Sequence, residues 1–156
     1  MAKWLALAGG IMLADQLSKF AILQSFTVNK VVELTSFFNL VLVYNRGAAF
    51  SFLSDASGWQ RGFFITIALV ASVWIIYLLR RYRQQALFSL ALSLVLAGAL
   101  GNVIDRILFG AVVDFLDFHA YGYHWPAFNV ADSAITCGAA LLIWDGFRPS
   151  QHQKKQ

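Results

Sequence analysis

The chain has 156 residues, 59% of hydrophobic types and only 13% charged, with a mean hydropathy of +0.63. That balance lies outside the range of ordinary water-soluble domains and requires lipid around the protein. The net charge of +4 is scattered in short groups beside apolar runs, which argues against a nucleic-acid partner and reads instead as a set of topology signals.

No Pro, Ser or Gly tract and no long charge run marks a linker, so residues 1–156 are expected to form one domain. The single cysteine, Cys137, allows neither an intrachain disulfide nor a cysteine-cluster metal site and is expected to be a small buried hydrophobe.

In chain order, the first apolar segment covers about 4–23 and is interrupted by Asp15 and Lys19. A cleavable signal peptide beginning at Lys3 is the competing reading. An acid and a base four residues apart serve a retained helix better, because they can pair on one face. Next come two β-prone runs, 28–34 and 37–44, separated by Thr35 and Ser36 and expected to form a hairpin with its apolar edges in the interface. Gly47, Ala48 and Ala49 then offer a stretch of small side chains where a ligand backbone could approach, or simply a turn. Uncharged runs at 62–79 and 84–104 are secure spans, and 129–147 is a fourth, bounded by Asp132 and Asp145. The expected fold is thus an all-α membrane core of four helices with a small extracytoplasmic β-hairpin or sheet and an outer interfacial loop or helix.

Basic residues at Lys3, at Arg80, Arg81 and Arg83, and at Arg148, Lys154 and Lys155 place both termini in the cytoplasm. The two longer connections then lie on the opposite side. On that scale Asp15 sits roughly 16 Å up the first helix and Asn102 and Asp105 roughly 24–29 Å up the third. Asn129 and Asp132 fall in the first turns of the fourth, so three helices bring polar groups to one level near the outer surface. Charges in lipid are expensive and normally face a bundle interior. Asp15 with Lys19, and Asp105 with Arg106, are explicable as structural ion pairs.

The surplus acids suggest chemistry. Asp114 lies in an apolar run, 111–116, that can dip toward the bilayer; if it met Asp132, the two carboxylates would share a proton, as in an aspartic protease. No Gly-x-Ser-x-Gly elbow, HExxH motif or cysteine–histidine pair offers another nucleophile. His119 and His124 could join Asp117 as metal ligands, but interfacial surface histidines are the preferred reading, and neither a metal nor a cofactor is expected. Asp117 is expected to be dispensable.

Five segments in order carry a resemblance: Asp15-Gln16-Leu17-Ser18-Lys19, Asn45-Arg46-Gly47-Ala48-Ala49-Phe50, the run from Gly98 to Arg106, Val112-Val113-Asp114-Phe115, and Phe128-Asn129-Val130-Ala131-Asp132. Over nearly its whole length the chain resembles the lipoprotein signal peptidases, or signal peptidase II, of bacterial inner membranes. The resemblance implies Asp114 and Asp132 as the catalytic pair. It implies Asn45, Gly47, Asn102, Asp105, Arg106, Asn129 and Ala131 as residues that line the substrate pocket or hold the aspartates and backbone, and Asp15 with Lys19 as a structural pair nearby. The implied substrate is a prolipoprotein whose cysteine bears a diacylglyceryl group, cut on the N-terminal side of that cysteine by a monomeric enzyme among membrane phospholipids. Competing classes are a proton or ion relay, which should carry polar groups across the full thickness, and a non-enzymatic assembly or lipid-binding protein.

Overall fold

The computed structural model describes residues 1–47 and 58–148. Ala48, Ala49 and Phe50, and the basic residues Lys154 and Lys155, therefore lie outside the described residues. In chain order the elements are α1 (Ala2–Ser25), β1 (Val31–Thr35), β2 (Phe38–Asn45), α2 (Trp59–Arg81), α3 (Ala86–Phe109), β3 (Val112–Ala120), β4 (Tyr123–His124) and α4 (Val130–Phe147).

All four helices are long and apolar enough to cross a membrane. Their outward faces carry large exposed hydrophobics, among them Val70, Val73 and Trp74 on α2 and Ile143 and Trp144 on α4. In water such a surface would aggregate; in a bilayer it is the lipid contact. Cys137 is on this surface too, exposed rather than buried as expected. The reason is that α4 buries only the stripe Ala131, Ala134 and Gly138.

Helix α3 is the hub, packing against α1, α2 and α4. Small residues make the α3–α4 approach close: a Cβ at Gly98 would collide with the Ala131 carbonyl oxygen, and one at Gly138 would come within 2.7 Å of the Ala91 carbonyl oxygen. Buried hydroxyls on α3 are satisfied by backbone, Ser93 Oγ donating to Ser89 O at 2.7 Å and Ser89 Oγ to Tyr82 O at 3.1 Å. Away from the sheet, the bundle is filled by Ala8, Ile75, Leu79, Leu92, Leu96 and Ala97.

Where the sequence suggests a stop at 104, α3 continues to Phe109, so Asp105 and Arg106 are helical. It ends at Gly110, whose φ of 73° is the left-handed cap conformation that glycine adopts without strain.

Of the three interhelical connections, the two longer ones, α1–α2 and α3–α4, leave the bundle at one end and build one antiparallel sheet, ordered β1-β2-β3-β4. The expected hairpin is present, with Thr35 opposite Phe38 and the turn at 36–37. In place of the loop or helix expected after the third span, the chain forms β3, paired with β2. Val112, Val113, Asp114 and Phe115 are all buried, and burial on both faces removes the alternation by which a strand is read from sequence. Ile22, Leu42, Val113 and Phe115 form a second apolar cluster under the sheet.

Candidate active site

The sheet end of the bundle holds the polar residues in two linked groups. One centres on Lys19, which is 2% exposed. Its Nζ lies 2.8 Å from Asp15 Oδ2 and 2.7 Å from Asp105 Oδ2, and donates to Asn102 Oδ1 at 3.1 Å, so its three N–H donors have three acceptors. Asp15 and Lys19 stand one turn apart on α1, which accounts for the expected pair. Asp105 pairs with Lys19 rather than with its neighbour Arg106; successive helical residues diverge by about 100°, so Arg106 points elsewhere.

Each carboxylate of this group also holds a neighbouring backbone. Asp15 Oδ1 accepts from Ala131 N at 2.8 Å, in the first turn of α4, where a negative charge meets free N–H groups. Asp105 Oδ2 accepts from Val113 N at 3.1 Å, the residue preceding Asp114. Gln16 Nε2 donates to Asp105 Oδ1 at 3.0 Å and reaches Asp15 Oδ2 and Gly101 O at 3.2 Å. The sequence assigns no role to Gln16 or Gly101, though both stand in the motifs that carry the family resemblance. The available signal was a polar residue beside Asp15 inside an apolar span, and a glycine where a Cβ would meet Asp15 Oδ2 at 2.7 Å.

The second group contains Asp114 and Asp132. Asp114 sits on β3 opposite Val43, and Asn45, two residues along β2, shares its face of the sheet and hydrogen-bonds to it. Asn129 caps α4: its Oδ1 accepts from Asp132 N at 2.8 Å, while its Nδ2 donates to Asp114 Oδ1 at 2.7 Å and Val113 O at 3.2 Å. Asn102 Nδ2 donates to Asp132 Oδ1 at 2.8 Å. One asparagine thus touches both aspartates. Burial pushes the Asp114 carboxyl up to about 7, and the nearby Asp132 charge adds to this against the hydrogen bonds from Asn45 and Asn129.

Arg106 Nη2 donates to Gly47 O at 3.0 Å, and its guanidinium lies 5.0 Å from the centre of the Phe64 ring. Its Nε is buried with no partner among the described residues. Gly47 N donates to Asn45 Oδ1 at 3.0 Å, a local turn that fixes Asn45.

Asp117, on the opposite face of β3 from Asp114, stands apart from this site. It is only 7% exposed and accepts from Asn39 Nδ2 at 2.9 Å and pairs with His124 Nδ1 at 2.9 Å. Burial raises its pKa, but the bonds from His124 and Asn39 outweigh that and hold it below the usual carboxylate value. His119 stacks on His124 with ring centres 5.0 Å apart, near the protein surface. The described residues contain no metal-binding cluster of His, Cys, Asp and Glu.

A model of the signal peptidase (SPase) II family matches residues 7–148. The lipoprotein signal peptidase of Burkholderia vietnamiensis is 63% identical over 148 residues, covering 95% of this chain and 89% of the relative. The protein of the same name in Burkholderia ambifaria is 60% identical over the same shares. Among solved structures, one described as a bacterial membrane enzyme determined by the in meso method at 2.3 Å superposes with a TM-score of 0.87 at 32% identity, over 100% of this chain and 94% of the other. A second, described likewise at 1.9 Å, gives a TM-score of 0.83 at 32% identity over 96% of each chain. Four spanning helices, the sheet that closes one end, and matches that run through both polar groups place the chain in the signal peptidase II family, a family of membrane peptidases.

Proposed function

We propose that this chain is an aspartic endopeptidase that removes the signal peptide from diacylglyceryl-modified prolipoproteins, cutting on the N-terminal side of the lipidated cysteine. The observation that carries the reading is the buried pair Asp114 and Asp132, tied together by Asn129, with Asp114 held near pH 7. Two such carboxylates retain one proton between them at neutral pH.

With one proton on the pair, the ionised carboxylate takes a proton from a water molecule as its oxygen attacks the scissile carbonyl. The protonated partner gives its proton to the carbonyl oxygen. Collapse of the tetrahedral intermediate breaks the C–N bond as a proton passes to the leaving amine, and the pair again holds one proton. Asn45, Asn102 and Asn129 fix the carboxylates; Gly47 and Ala131 contribute backbone to the pocket. Arg106 Nε, without a partner among the described residues, supplies a donor for a carbonyl of the bound peptide. Asp105 holds the strand that carries Asp114.

A lipid-anchored substrate brings its scissile bond at the depth of the outer interface, and the polar groups of this bundle are gathered at that one end. Away from that end the described residues bury the hydroxyls of Ser72, Ser89 and Ser93, each donating to a backbone carbonyl, but no carboxylate or ammonium, which argues against a proton relay with titratable groups throughout. Basic residues at Lys3, Arg80, Arg81, Arg83 and Arg148 support cytoplasmic termini and a site near the periplasmic face of a bacterial inner membrane. The enzyme works as a single-domain monomer among phospholipids.

The test is cleavage of a diacylglyceryl-modified precursor by purified protein. Asp114→Asn and Asp132→Asn should fold and lose turnover by at least about a hundredfold. Near-normal turnover by either folded variant refutes the pair, and failure of the wild type to cut any lipidated precursor refutes the substrate.

A further inference from the structure

The amides bordering the carboxylate pair are not free to choose which end faces it. Lys19 has only donors, so the Asn102 atom 3.1 Å from Nζ is the oxygen. Asn102 therefore turns Nδ2 toward Asp132 Oδ1, 2.8 Å away. Asn129 is fixed in the same way by the Asp132 N–H, which also can only donate, and so turns Nδ2 toward Asp114 Oδ1 at 2.7 Å. The 3.5 Å approach of Asn129 Nδ2 to Asn102 Oδ1 agrees with both orientations. Amide ends that are ordinarily ambiguous are here dictated by neighbours of a single hydrogen-bonding type.

Oδ1 of each aspartate consequently receives an N–H, and Asp114 receives a further one from Asn45, whose own Oδ1 is engaged by the Gly47 N–H. A protonated oxygen is a weaker acceptor than an ionised or carbonyl one, so a proton on either of those atoms would weaken the N–H bond it receives, and the single proton of the pair is disfavoured on both Oδ1 atoms. Lys19 is itself locked. Asp15 and Gln16 from α1 and Asp105 from α3 form its own setting, and Asp132 from α4 lies beyond Asn102.

Resting on the catalytic pair proposed above, we propose that Lys19 is a positioning residue for the reaction: acting through Asn102, it sets the hydrogen-bond polarity that keeps the shared proton off Asp132 Oδ1, leaving it on an atom from which it can be passed to the scissile carbonyl oxygen. Lys19 touches no reacting atom. If the Asn102 amide reverses, its oxygen faces Asp132 Oδ1 and draws the proton onto that inner atom, away from the substrate.

Removing the ammonium alone leaves two buried carboxylates facing each other, a change that threatens folding. The informative variant is Lys19→Gln combined with Asp105→Asn, which deletes one positive and one negative charge and leaves the net charge unchanged. The new glutamine amide can present either end, so Asn102 is released. For the purified double variant cutting a diacylglyceryl-modified precursor, kcat is expected to fall at least about tenfold relative to Asp105→Asn alone while KM stays within about threefold. A kcat equal to that of Asp105→Asn alone, or a loss carried by KM, overturns the proposal. Asp114→Asn and Asp132→Asn measured alongside separate the two layers. Activity in either defeats the pair itself, whereas inactive aspartate variants beside a double variant as active as Asp105→Asn alone defeat only the role of Lys19. If the double variant does not fold, infrared spectroscopy of the wild type with 13C-labelled aspartate decides. The protonated carboxyl should show a C=O stretch lowered by an accepted N–H bond, and a free C=O band overturns the proposal.

Discussion

Replacing Asp114 with asparagine is expected to stabilise the protein as it removes activity, and to do so in a pH-dependent way. The carboxyl ordinarily ionises near 3.8 and is held at about 7 in the fold. The difference, 7 − 3.8, multiplied by 1.36 kcal/mol per unit, gives a penalty of about 4 kcal/mol for keeping this group folded at high pH. The sign follows from which state ionises first. Below the unfolded value the group is protonated in both states and there is no penalty. As pH rises the unfolded chain ionises first, and the penalty grows until it is complete above about pH 7. The asparagine keeps an oxygen to accept from Asn129 and carries no charge, so it escapes the penalty. Thermal melting in detergent micelles should therefore show the variant about 10 °C above the wild type near pH 8, with the gap closing toward about pH 4. A gap independent of pH, or a variant less stable than wild type near pH 8, refutes the assignment of a buried, proton-retaining Asp114.

Gly98→Ala should be among the most damaging small substitutions, because its methyl collides with the Ala131 carbonyl oxygen and must push α4 from α3. We expect a loss of about 1–3 kcal/mol by thermal melting. Turnover should drop by roughly a hundredfold, because Asp132 rides on the displaced helix. Asp117→Asn should leave kcat within about threefold and cost about 1 kcal/mol, through loss of the carboxylate that binds His124 and Asn39. Since the fold lowers the pKa of Asp117, the stability it contributes is present at neutral pH and lost on acidification; wild type and variant should converge in melting temperature at low pH.

Much of this arrangement is legible in the amino-acid order, and the boundary is physical. The spans are visible because a bilayer demands long apolar runs, and the acids in α1, α3 and α4 stand out because lipid makes them conspicuous. The pairing of Asp15 with Lys19 is visible because one helical turn separates them. What stays hidden depends on distant partners: Lys19 meets Asn102 across 83 residues, and Gln16 meets Asp105 across 89. The strand that carries Asp114 is hidden because both of its faces are covered. The burial of Asp117 is hidden for another reason. Its contact with Asn39 depends on the β2–β3 register, and a bulge between Leu40 and Val43 shifts that register by one residue.

The bond from Asp15 to Ala131 spans 116 residues, and that separation bears on how the protein is made. At a synthesis rate of about 5–20 residues per second, α1 waits roughly 6–23 s before the end of α4 that will receive Asp15 has been synthesised. During that interval the helix must sit in or beside the bilayer with an acid in its middle. The charged partner it carries with it is Lys19, one turn away, with the Gln16 amide as a second donor to the same carboxylate. The ion pair read as an architectural detail of the finished bundle is thus also what allows the first helix to partition into the membrane as a nearly neutral segment, ahead of the helices that will bury it.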